Sequence, residues 1–290
     1  MKKLFIIILI VTAFDSCANL PRQLYDDFID EEISLKYPVI LVHGILGTDK
    51  RKIIHYWGRI PDVLINNGIK VFYGNTDALG SIASNAEILR ETVDIVLTVT
   101  NSEKVNIIAH SKGGLDSRYF IWKYNYGDKI ASLTTVSTPH YGAALADLAD
   151  HLNVKRTGAA QRAFSFLSSL FGDKNPDTLS LISELTTTYS SVFNDIVTMD
   201  ERVYCQSYYS VMKNAFDDLS FLFTHGYIKK RRGANDGIVA EVSFLWSDNI
   251  HKIEGMSHTE IVDQKMKKIS GQQIPEIYLN IVKKLGMMGF

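Results

Sequence analysis

The chain has 290 residues, 46% of them apolar and 22% charged, with a formal net charge of −1. That is enough apolar material for one large core, with or without an insertion, and a near-neutral balance without a basic stripe excludes a dedicated nucleic-acid binder. The one dense basic run, Lys229-Lys230-Arg231-Arg232, reads as a solvated turn.

Lys2 and Lys3 precede an apolar stretch of 11 residues, 4–14. A spanning helix needs roughly 20 residues, so residues 1–16 are expected to be a secretory signal peptide. Phe14-Asp15-Ser16-Cys17 resembles a lipoprotein box, with Cys17 as the lipidated residue, although Phe14 and Asp15 depart from the usual Leu and small residues. The expectation is an exported protein, either lipid-anchored in the cell envelope or secreted. The only other cysteine is Cys205. With Cys17 lost or lipidated, no intramolecular disulfide is expected, and stability must come from the core. Residues 17–36 are polar and acidic and read as a tether.

Order then begins abruptly. Residues 37–42 (YPVILV) are a β-branched apolar run suited to a strand buried on both faces, ended by His43-Gly44. Ile53, Trp57, Ile60 and Leu64 recur at helical spacing over 53–66, and Asn66-Asn67-Gly68 stops them. Residues 69–73 form a second strand, 84–98 a helix, and 105–109 a third strand. The next helix carries a stripe of Leu115, Tyr119, Trp122 and Tyr126. Residues 130–136 form a fourth strand. This alternation predicts a mostly parallel sheet with helices on both faces. Residues 143–200 break the rhythm and show no strong strand. They are expected to be a helical insertion, with the apolar 159–171 as a cover over an apolar cleft. Strands resume at 203–211 and 249–254, and 275–285 reads as a closing helix. The division expected is a core of 37–142 and 201–290 interrupted by a lid at 143–200.

The chemistry gathers at Ala109-His110-Ser111-Lys112-Gly113, between the third strand and its helix. A serine hydroxyl needs a base, an acid to orient that base, and donors for the developing oxyanion. A sharp strand-to-helix turn exposes the serine and aims the helix N-terminus at the reacting oxygen, and it demands small residues two before and two after. Ala109 and Gly113 meet that demand. His43-Gly44-Ile45-Leu46-Gly47 lies after the first strand, where glycine lets backbone N–H groups approach a ligand. The expected oxyanion donors are the N–H groups of Ile45 and Lys112. Losing one such donor typically costs ~3 kcal/mol of barrier. Of the histidines after Ser111, His258 follows the last strand on a loop able to reach the serine, whereas His251 opens that strand and points elsewhere. Asp236, in Asn235-Asp236-Gly237 between Ser111 and His258, is the candidate acid. Asp195 and Asp248 are less well placed.

Taken in order, five segments resemble the bacterial triacylglycerol lipases of the Pseudomonas and Burkholderia type. They are Tyr37-Pro-Val-Ile-Leu-Val-His-Gly-Ile-Leu-Gly-Thr-Asp49, Ala109-His-Ser-Lys-Gly-Gly-Leu115 with Arg118-Tyr119, Ser137-Thr-Pro-His-Tyr-Gly142, Asn235-Asp-Gly-Ile-Val239 and Ser257-His-Thr-Glu-Ile-Val-Asp-Gln264. The resemblance spans residues 37–285 and implies the α/β-hydrolase fold with a helical lid. It implies Ser111 as nucleophile, Asp236 as acid and His258 as base, acting on acylglycerol esters at a lipid–water interface. It also implies a structural calcium near Asp217 or Asp218, Glu260 and Gln264, although Glu260 stands where the family usually has Asp. No cofactor is required for the chemistry itself. A phospholipase or acyltransferase on the same scaffold shares the acyl-enzyme, and an inactive lipid-binding lipoprotein would keep the fold without turnover.

Overall fold

The computed structural model describes residues 33–47, 55–152 and 178–290. The expected signal peptide, most of the expected tether and the apolar segment 159–171 lie outside the described residues.

Six strands form one parallel sheet: β1 (Val39–Val42), β2 (Val71–Tyr73), β3 (Val105–His110), β4 (Ile130–Val136), β5 (Tyr204–Val211) and β6 (Ile250–Glu254), in the order β2-β1-β3-β4-β5-β6. Parallel strands need crossovers, and helices supply them on both faces. The strand β1 shows why its sequence lacks alternation. Val39 and Leu41 enter one core with α1 (Ile60–Asn66) and the closing helix Ile274–Met287, while Ile40 and Val42 enter the other with α2 (Ile82–Thr100) and α3 (Lys112–Tyr124). The sheet order reverses direction between β1 and β3, and ligands of such sheets bind outside the carboxyl ends of the strands at that crevice. His43-Gly44 leaves β1 there, and Ser111 leaves β3 there.

Three sequence expectations shift. The helix expected over 53–66 begins only at Ile60, because Gly58 takes φ +47° in a turn and Pro61 sits in the first helical turn, which it favours. The stripe on α3 is only partly its buried side. Trp122 is 36% exposed and Tyr126 lies past the helix end, while Leu115, Phe120 and Ile121 are buried. Burial there does not follow one face, since every residue from Lys112 to Arg118 is buried at the crevice. Finally, β6 is an edge strand of alternating burial rather than an apolar one, with Lys252 and Glu254 on its rim, as edges require.

The described part of 143–200 holds α4 (Ala144–His151), α5 (Thr178–Ser183) and α6 (Thr187–Ile196). Leu185, Phe193 and Val197 pack with Ile82 and Leu115 of the core, and Leu181 packs with Leu46 and Leu79. Glu184 accepts the Ile82 N–H at 2.8 Å, placing a carboxylate at the start of α2, where the helix dipole favours an anion. Asp147 likewise accepts the Thr187 N–H at 2.8 Å.

A buried ion pair ties the start of α1 to the loop after β6. Asp263 Oδ1 accepts from Arg59 Nη2 at 2.8 Å, and Oδ2 accepts from both the Arg59 Nε and its backbone N–H at 2.8 Å. The side chains are 3% and 0% exposed. Burial raises the Asp263 carboxyl above its usual range, against the lowering effect of Arg59. Removing one partner of such a pair strands a buried charge, so Arg59→Met is expected to lose about 3–5 kcal/mol of stability, read from a urea titration. An unchanged midpoint would contradict this.

Candidate active site

The nucleophile elbow is built from steric necessity. Ser111 takes φ 54°, ψ −130°, a conformation costly for a non-glycine residue and one that persists only where its surroundings enforce it. Its N–H donates to the Val136 carbonyl at 2.9 Å, and its carbonyl accepts the Gly114 N–H at 3.0 Å. A Cβ on Gly113 would lie 2.4 Å from the His43 carbonyl oxygen. A Cβ on Gly44 would lie 2.7 Å from the Ser111 Cβ. Glycine at these two positions therefore lets the ends of β1 and β3 close on each other.

The two expected oxyanion donors flank this contact. Lys112 is the first residue of α3, so its N–H has no partner within the helix. In the loop after β1, the N–H groups around Ile45 are committed: Gly44 donates to the Tyr56 hydroxyl at 2.8 Å and Leu46 to the Ala78 carbonyl at 3.2 Å. The Lys112 side chain turns away into an ion pair with Asp116 at 2.6 Å, and Asn85 donates to the other Asp116 oxygen at 2.9 Å. Both ends of the Lys112–Asp116 pair are buried, and burial raises the Asp116 carboxyl despite the neighbouring ammonium.

Asp236 and His258 meet as the sequence order suggested. His258 Nδ1 donates to Asp236 Oδ2 at 2.6 Å, and the His258 backbone N–H donates to the Asp236 carbonyl at 2.8 Å. Asp236 Oδ1 accepts the N–H groups of Ile238 and Val239 at 3.0 and 2.8 Å. With Nδ1 carrying the proton, Nε2 of His258 keeps its lone pair.

One further chain of bonds joins His258 to the elbow, through residues the sequence did not single out. The His258 carbonyl is 3.0 Å from His110 Nε2, so that nitrogen must donate and Nδ1 of His110 must accept. Its donor is the Tyr56 hydroxyl at 2.6 Å, which in turn accepts the Gly44 N–H. The rings of His110 and His258 lie 4.6 Å apart. Burial, and then the nearby His258, push His110 well below the ordinary histidine range, in keeping with this neutral tautomer. His110 occupies a variable position of the elbow motif and Tyr56 lies outside it, so neither carried a signal. Ser137-Thr138-Pro139-His140 serves as a brace instead. Arg118 donates to His140 Nδ1 at 3.1 Å, to Asn194 Oδ1 at 2.9 Å and to the Val197 carbonyl at 3.2 Å, fastening α6 to the core.

Of the two acidic alternatives expected near a calcium, Asp218 rather than Asp217 meets Glu260, at the His258 loop. The Asp217 carboxylate caps its own turn, accepting from Lys213 and Asn214 backbone N–H groups at 2.6 and 3.2 Å. Gln264 enters through its backbone, donating to the Thr259 carbonyl at 3.4 Å. Among the described residues, no three His, Cys, Asp or Glu side chains cluster to hold a metal ion.

Residues 36–140 match the class 2 lipase family. Curated relatives include the triacylglycerol lipases of Pseudarthrobacter phenanthrenivorans and Burkholderia plantarii, each 35% identical over 57% of this chain and over 55% and 49% of those proteins. The Vibrio cholerae triacylglycerol lipase is 33% identical over 55% of this chain and 53% of its own length. The chain thus spans about half the length of the curated relatives it matches. Among solved structures, a Bacillus licheniformis lipase in mature form has a TM-score of 0.64 at 20% identity, covering 88% of this chain and 95% of its own. A metagenomic carboxyl esterase reaches 0.66 at 15% identity, over 89% of this chain and 77% of its own.

Replacing Tyr56 by Phe removes the hydroxyl shared by Gly44 and His110 and leaves a buried donor and acceptor unpaired. The expected outcome is a loss of about 1–3 kcal/mol in urea unfolding together with slower ester hydrolysis. Unchanged stability and rate would contradict the bond chain. With the fold, the elbow and the matches in agreement, the chain is similar to the bacterial triacylglycerol lipases over part of its length and carries the α/β-hydrolase fold.

Proposed function

We propose that the chain is a serine ester hydrolase of the lipase type, acting on acylglycerols through an acyl-enzyme on Ser111. The observation that carries the proposal is the pairing of a fully buried Asp236 with His258 at 2.6 Å, on the loop bonded to the residue just before Ser111. In this reading the Ser111 Oγ attacks the ester carbonyl carbon as His258 Nε2 takes its proton. The carbonyl oxygen becomes an oxyanion and accepts hydrogen bonds from the Ile45 and Lys112 N–H groups. The tetrahedral intermediate collapses, the C–O bond to the alcohol breaks, and His258 returns the proton to the departing oxygen. Water then repeats the sequence, with His258 as base, and frees the acid. Asp236 holds the imidazole in the Nδ1–H tautomer and stabilises the imidazolium that forms.

The substrate class follows from the relatives named triacylglycerol lipase. In the same proposal, the insertion that carries α4, α5 and α6 acts as a cover whose opening is favoured at an oil surface. Export, with Cys17 as lipid anchor or with release from the cell, completes the proposal.

The test is hydrolysis of tributyrin and p-nitrophenyl esters by the Ser111→Ala protein. Loss of about a thousandfold or more with an unchanged circular dichroism spectrum is expected. Retained hydrolysis would overturn the assignment. Products from mixed triacylglycerols and phospholipids, with and without an added alcohol, should be free fatty acids from triacylglycerol. Dominant lysophospholipid or transferred acyl ester would instead favour a phospholipase or an acyltransferase.

A further inference from the structure

The loop that carries His258 is held from outside by a small charged cluster. Asp218 Oδ2 accepts from Ser257 Oγ at 2.7 Å and from Lys265 Nζ at 3.0 Å. Glu260 Oε1 accepts from Lys265 Nζ at 2.7 Å, and Oε2 accepts the Ser257 N–H at 2.9 Å. Asp218 Oδ1 accepts the Ser220 N–H at 3.1 Å. Both carboxylate side chains are 2% exposed, and that of Lys265 is 30% exposed. Two carboxylates this buried and this close repel each other unless a cation stands between them.

That position is the one from which a calcium would tie the histidine loop to an acidic residue upstream. The donor set does not fit calcium as it stands. Calcium takes six to eight oxygen ligands. Here two carboxylates are available, their oxygens are already engaged by an ammonium, a hydroxyl and an N–H, and Asp217 bonds elsewhere. An ammonium fixed on the loop's own backbone supplies the same sign of charge. Partial burial opposes the charge on Lys265, but the bonds to Glu260 and Asp218 together outweigh it and raise its pKa, so it is charged across the neutral range.

We propose that Lys265 is a built-in cation that replaces a structural calcium, holding Ser257 and with it His258 in place, so that the chain works without calcium. Lys265 is a positioning residue: its ammonium bridges Asp218 to Glu260, both carboxylates bond Ser257, and Ser257 adjoins His258. The inference rests on the reading of His258 as base, but its stability arm is independent of that reading.

The test compares the full-length wild type, Lys265→Ala, Lys265→Arg and the double variant Lys265→Ala/Glu260→Gln, each with calcium chloride and with excess EDTA. For wild type, Tm and p-nitrophenyl butyrate hydrolysis should be the same in both media. Lys265→Ala should lower Tm and reduce kcat about tenfold to a hundredfold, the scale of a small misplacement of a reacting group, with KM little changed. The conservative Lys265→Arg should recover most of kcat. The double variant removes one of the two facing charges and should recover part of the lost Tm. A wild-type Tm that rises with calcium, a wild-type activity abolished by EDTA, or a double variant no more stable than Lys265→Ala would each overturn the proposal. Should Lys265→Ala fail to fold, the wild-type comparison and Lys265→Arg still decide it. His258→Ala separates the two readings: full activity there refutes the base assignment and leaves the Tm comparison as the test of the cation.

Discussion

A carboxylate with no solvent exposure must have every lone pair accounted for, and Asp236 is such a group. One oxygen is satisfied by the two N–H groups of its own turn, and the other has the His258 imidazole. The backbone carbonyl of Asp236 also takes the His258 N–H. The histidine is therefore held by ring and main chain together, and it cannot rotate without uncovering a buried charge. The orientation of the imidazole follows from the cost of that exposure.

The rest of the fold ties this pair to His110, the residue just before Ser111. The sheet reverses its strand order between β1 and β3, so two loops leave the same crevice side by side. Glycines at 44 and 113 let them touch, and the strain at Ser111 is sustained by that contact. From the far side of the sheet, the loop after β6 is drawn in by three separate ties. His110 holds the carbonyl of His258, Arg59 holds Asp263, and Lys265 holds the carboxylates around Ser257. Each tie joins elements more than thirty residues apart in sequence or braces the loop against itself, so the loop's position depends on the whole domain being folded.

Residues whose role is set by local geometry were legible in the sequence. The small residues at 109 and 113 mark a tight turn wherever it occurs, and the unbroken apolar runs of β1 and β3 mark strands covered on both sides. The pairing of Asp236 with His258 was expected from chain order, against the plain-turn reading of Asn235-Asp236-Gly237. Tyr56, His110, Arg59 and Lys265 were not legible, because their meaning lies in partners far along the chain and their residue types carry no pattern of their own. The misread stripe on α3 has the same cause: the inserted helices and the crevice bury the start of that helix all round, and a periodicity argument assumes one covered face. The family model ends at residue 140, before Asp236 and His258, so those two assignments rest on geometry.

The most direct measurement is reaction of the intact protein with a fluorophosphonate, followed by mass spectrometry of the labelled peptide. This reagent modifies a serine only where a base draws off its proton and donors receive the resulting charge. The account predicts a single adduct on Ser111, formed at a rate that collapses when His258 is replaced by alanine in a protein that stays folded. An adduct on another serine, or labelling of Ser111 at an unaltered rate without the imidazole, would contradict it.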